Sequence, residues 1–152
     1  MNDSRKGRFT IRSAAAMFML SAVFEFLSLT SAMPLFGAVR SGTMVAVYHV
    51  FFAGLFLTIG VGLWAPKKWG IKAAVIGGIF YSLDKILFIL DRTTIEIYLV
   101  QLIGVSSEIF EVIDRQALFN SITLMYLLFI ALWWGFVGYL HLRRQYFNTV
   151  GQ

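Results

Sequence analysis

The chain has 152 residues, of which 59% are hydrophobic and 14% charged, and its 13 Lys and Arg against 8 Asp and Glu leave a net charge of +5. That length suits one compact domain over residues 1–152, and so few charges cannot cover a water-facing surface, which excludes an ordinary soluble domain and directs the reading to an all-α membrane protein. The basic residues stand in short clusters beside apolar runs, a placement that suits anionic lipid and not nucleic acid, and the absence of Cys excludes disulfides, a thiol nucleophile and thiolate metal sites.

The first apolar run, Ser13 to Met33, ends at Pro34 and has the length that crosses a bilayer core. Arg5, Lys6 and Arg8 precede it and Thr30-Ser31-Ala32 loosely resembles a signal cleavage site, but the run is long and contains Glu25, so a span is the expectation. The second run covers residues 44–65 and ends at Pro66, the third covers 71–90 before Asp91, and the fourth covers 121–142 before Arg143-Arg144. Trp64 and Trp69 fit an interfacial aromatic belt, whereas Trp133 and Trp134 lie too deep for one.

The basic residues of the N-terminus (Arg5, Lys6, Arg8, Arg12), the second connection (Lys67, Lys68, Lys72) and the C-terminus (Arg143, Arg144) fall on one side, nine of the 13 in the chain. The positive-inside rule then places both termini in the cytoplasm of an inner, or plasma, membrane. Between the third and fourth spans, residues 93–114 read as an additional interfacial amphipathic helix on the non-cytoplasmic side. At 100° per residue Glu96, Glu108, Glu111 and Asp114 share its polar arc, opposite Ile95, Leu99, Ile103 and Phe110. That arc is acidic, so attraction to anionic lipid does not hold it down, and it serves either as a cover for helix ends or as a face for a membrane-protein partner.

Ionisable groups inside spans are costly and need partners. Glu25 lies about 20 Å from Arg12 along the first span, and Asp84 and Lys85 lie about 18 to 20 Å from Lys72 along the third. The three share a level, which predicts a compensated cluster with Lys85 between the two acids. His49, on a stripe with Gly42, Ala46, Ala53 and Gly60, is expected in the outer leaflet, where Tyr48, His49, Tyr81 and Tyr126 would line an outward-opening polar pocket above that level. A single His with scattered carboxylates has no ligand spacing for a metal, so neither metal nor other cofactor is expected.

Ala22-Val23-Phe24-Glu25 resembles the first helix of small four-helix multidrug exporters, whose lone membrane glutamate exchanges protons for cationic drugs. The resemblance covers about one helix; Lys85, the long acidic connection and the basic C-terminus depart from that pattern. There is no phosphate-cradling glycine loop, His-Glu-x-x-His helix or nucleophile elbow. The expectation is therefore a four-helix transmembrane bundle without enzymatic activity, an accessory subunit or a binder of a hydrophobic or lipid-like ligand. The alternatives are a proton-coupled small-molecule transporter acting as a homo-oligomer through Glu25 or Asp84, and a lipid-modifying enzyme with His49 as base.

Overall fold

The computed structural model of the protein describes residues 7–102 and 114–149. Four of its helices are long and apolar enough to cross a membrane: α1 (Arg8–Leu27), α2 (Thr43–Trp64), α3 (Lys68–Leu90) and α5 (Arg115–Leu142). Between α1 and α2 lies a short hairpin of β1 (Met33–Leu35) and β2 (Ala38–Arg40), between α3 and α5 the described chain forms the short α4 (Arg92–Ile97) and a π-helical turn over Tyr98–Leu102, and a final turn, α6, covers Tyr146–Thr149. Large apolar side chains such as Leu27, Val47, Leu124 and Leu132 are exposed along the outer faces, an exterior that suits hydrocarbon and not water.

The second, third and fourth spans fall where hydropathy puts them, with α5 starting six residues earlier than residue 121 because Asp114 caps it, its carboxylate accepting from the Gln116 N–H at 3.0 Å. The first span is corrected. Helix α1 begins at Arg8 and ends at Leu27, and the apolar residues from Met33 onward belong to the hairpin. Its strands pair Met33 with Arg40 and Leu35 with Ala38 around Phe36 and Gly37, whose φ values of 50° and 76° give the left-handed two-residue turn that matches strand twist.

Close helix contacts rest on glycine. A Cβ at Gly62 of α2 would stand 2.5 Å from the Cα of Gly70 of α3, and one at Gly60 would stand 3.0 Å from the carbonyl oxygen of Ala15 of α1. The principal core joins α1, α2 and α3 through Ile11, Ala15, Phe52, Ile59, Leu63 and Ala74, and reaches α5 at Val137 and Leu140. A second core at the opposite end gathers Phe88, Ile95 and Leu99 against Leu118, Phe119 and Ile122. Between those two attachments, Trp133 and Trp134 fasten α5 to α3: the Trp133 indole donates to the Ala74 carbonyl at 3.0 Å and the Trp134 indole to Ser82 Oγ at 2.9 Å.

The basic clusters meet at one end. Arg12 of α1 lies 5.3 Å from the ring centroid of Trp64 at the end of α2, and a Cβ at Gly7 would touch Tyr139 of α5 and Arg143 just beyond it. The hairpin and α4 occupy the other end, tied together where Thr94 Oγ1 donates to the Gly37 carbonyl at 2.7 Å.

Candidate functional site

The hairpin end contains the buried polar residues of the helices. Asp84 of α3 is fully buried, and its carboxylate accepts three hydrogen bonds: from the Phe36 backbone N–H at 3.0 Å, the Tyr48 hydroxyl at 3.0 Å and the Lys85 ammonium at 2.8 Å. The turn sequence explains the first of these. A bulky residue at positive φ is unfavourable, and here that conformation turns the Phe36 amide onto α3, where the charge-assisted bond to Asp84 offsets the strain. Lys85, also buried, has its ammonium 5.8 Å from the ring centroids of both Tyr81 and Tyr126, so its charge is met by one carboxylate and two aromatic faces.

Glu25 takes a different partner from the one expected. Its carboxylate lies 2.5 Å from Nδ1 of His49, linking α1 to α2, while Lys85 is held by Asp84. The single compensated cluster is thus corrected to two couples, Glu25 with His49 and Asp84 with Lys85. Position along a helix fixes a residue's level, but the direction in which it points depends on how the helices are rotated, which a depth argument does not contain. The His49 ring is buried, and its Nε2 has no hydrogen-bonding partner among the described residues.

The four aromatic and imidazole residues expected to line one pocket are divided between surfaces. Tyr48 lines a groove of about 410 Å³ between α2, α3 and the hairpin, whose other walls include Leu35, Arg40, Met44, Val47, Phe51 and Phe80. Tyr81 lines a separate cleft of about 720 Å³ between α1 and α5, stacked on Trp133 with centroids 5.3 Å apart. Tyr126 packs edge-on to Phe88 over Lys85, and His49 is enclosed by α1 and α2. Neither Asp84 nor Lys85 lines either recess.

Of the acidic residues placed on the amphipathic segment, Asp114 caps α5 and Glu96 lies 3.7 Å from Arg115 in a solvent-exposed pair of little energetic weight. Glu108 and Glu111, with the rest of residues 103–113, lie outside the described residues. In the described part of that segment Ile95 and Leu99 are buried, and Thr94 is buried beside them because its hydroxyl bonds the hairpin and Asp91.

Sequence reasoning missed Arg40 and the Phe36 amide as parts of this region. The available signal was the pair of turn residues after Pro34, masked by their position at the end of an apolar run. No protein-family model, curated protein or solved structure matches this chain.

Proposed function

We propose that the protein is a four-span inner-membrane protein, with both termini cytoplasmic, that holds a hydrophobic, lipid-like ligand at its outer end, alone or as the accessory subunit of a membrane assembly. The observation that carries this reading is the groove beneath the hairpin: about 410 Å³, walled by aliphatic and aromatic side chains, and bordered by the buried Tyr48–Asp84 contact. Binding sites for small molecules occupy roughly 300–1,000 Å³ and combine apolar walls with a few fixed polar groups. The basic clusters at the opposite end support the cytoplasmic placement of that end. Segment 93–114 acts in this reading as an amphipathic cover over the outer mouth of the bundle.

Native mass spectrometry of the gently extracted protein tests it. Wild type is expected to carry a stoichiometric hydrophobic adduct, and Val47→Trp, which fills the groove from an exposed position, is expected to lose it. A wild-type chain without any adduct rules the reading out.

A second reading, proton-coupled transport by a homo-oligomer, draws on the Glu25–His49 couple, an acid–base pair of a half-buried carboxylate and a buried imidazole whose Nε2 has no partner among the described residues. It requires reconstituted vesicles to dissipate an imposed pH gradient through wild type and not through Glu25→Gln. Dissipation no faster than in protein-free vesicles excludes it. Asp84, with three donors already engaged, is a poor carrier and a good anchor.

A further inference from the structure

The groove has one charged side chain on its wall, and its position defines what kind of amphiphile fits. Arg40 closes β2 at the hairpin end, two residues before Gly42 and the start of α2. Its Nε makes a long contact, 3.4 Å, with the Leu35 carbonyl, which holds the guanidinium against the hairpin. Among the described residues Arg40 has no carboxylate partner, and its terminal amino groups have no acceptor.

From that cation the groove descends along α2 past Met44, Val47 and Tyr48 to Phe51 and Phe52, with Phe80 of α3 as the far wall. Met44 to Phe52 is eight residues, a rise of about 12 Å. One leaflet of hydrocarbon is about 15 Å deep, half of a bilayer core. The groove is therefore apolar over most of one leaflet and cationic at its mouth. A guanidinium offers a planar fork that matches phosphate or carboxylate oxygens, and at the headgroup level the oxygens within reach are those of phosphates.

We infer that the groove takes one acyl chain of an anionic phospholipid, with the lipid phosphate held by Arg40. This rests on the ligand-binding reading above and specifies its chemistry. A neutral or zwitterionic lipid fills the same apolar wall but leaves the net charge of Arg40 uncompensated, so the groove selects by headgroup at one residue.

The test uses the full chain in nanodiscs of equal parts palmitoyl-oleoyl phosphatidylglycerol and phosphatidylcholine, released into native mass spectrometry as wild type, Arg40→Gln and Val47→Trp. Wild type is expected to retain phosphatidylglycerol in preference. Arg40→Gln is expected to keep a bound lipid but reduce that preference about fivefold, the factor one basic residue near the surface is worth toward an anionic lipid. All three variants share the basic cluster at the other end of the bundle, so its contribution cancels in the comparison. Val47→Trp is expected to lose the groove-bound lipid, and Met44→Trp, also at an exposed position, repeats that blockade should the first variant fold poorly. An unchanged lipid ratio in Arg40→Gln overturns the headgroup inference and leaves the binding reading standing. Lipid retention by both groove-filled variants equal to wild type overturns both.

Discussion

A carboxylate surrounded by hydrocarbon is tolerable only when its lone pairs have donors, and Asp84 has three. Each comes from a different part of the chain: the hairpin turn, α2, and the neighbouring residue on α3. Asp84→Asn keeps the volume but strands the Lys85 ammonium in a buried site, which costs about 3–5 kcal/mol for a broken buried pair. Denaturant unfolding in micelles is expected to show that loss, and the double variant Asp84→Asn with Lys85→Met is expected to recover most of it. A double variant as unstable as the single one contradicts the pairing. Glu25→Gln is expected to cost much less, about 0.5–1.5 kcal/mol, because Glu25 is partly exposed and its amide still bonds His49. Helical rise gave their spacing along each helix, but His49, expected above Glu25, is in direct contact with it, which corrects the level read for that imidazole. Their partners were not legible in the sequence, because the choice of His49 over Lys85 for Glu25 depends on the azimuth of α1 against α2, which small residues at Ala15 and Gly60 set.

Glycines separate the helix faces that meet protein from those that meet the surroundings. A Cβ at Gly78 of α3 would stand 2.6 Å from Nε1 of Trp133, whereas one at Gly135 of α5 meets nothing within 4 Å. Gly78→Ala is accordingly expected to push Trp133 off the Ala74 carbonyl and destabilise by about 1–3 kcal/mol, and Gly135→Ala to stabilise its helix by about 0.5–1 kcal/mol. Thermal unfolding of both in the same detergent checks the contrast, and equal effects of one sign refute it. At the junction of α3 and α4, Asp91 accepts from the Thr94 hydroxyl at 2.6 Å and the Thr93 N–H at 3.0 Å, and the Thr94 bond foremost holds its carboxyl below the usual carboxylate range. A folded pKa below the unfolded value of about 3.9 means that the contribution is present above that pH and is lost as pH falls through the folded value. Thr94→Val is expected to weaken that acid-side dependence and loosen the hairpin, and an unchanged pH profile argues against the link. Helices of 20 residues and more were legible because hydropathy over such a length has few alternatives. The hairpin was not, because two strands of three residues carry no period to read, and Met33-Pro34-Leu35 prolongs the apolar run of α1.

The molecule is asymmetric from end to end, with cationic side chains gathered where Gly7, Arg12, Trp64 and Arg143 meet and the hairpin, α4 and the buried Asp84 at the other end. Packing is graded as well. Helices α1, α2 and α3 share the principal core, while α5 is fixed at its two ends and by Trp133 and Trp134 between them, leaving the recess of about 720 Å³ against α1. This arrangement was partly legible, because alternating spans put the basic clusters on one side by parity alone, while the recess depends on side-chain sizes across helices that sequence order does not pair. Which side of the membrane that basic end faces is a question of charge: lysine and arginine in short loops are retained on the cytoplasmic side. The chain has no Cys, so a single introduced thiol reports on one place. Ser41→Cys, exposed beside the hairpin, is expected to react with a membrane-impermeant maleimide in intact spheroplasts. Lys67→Cys, exposed in the turn between α2 and α3, is expected to react only after the membrane is opened. The reverse pattern inverts the orientation and moves the groove to the cytoplasmic leaflet, and labelling of both in intact cells contradicts the single crossing by α2 that separates those two sites.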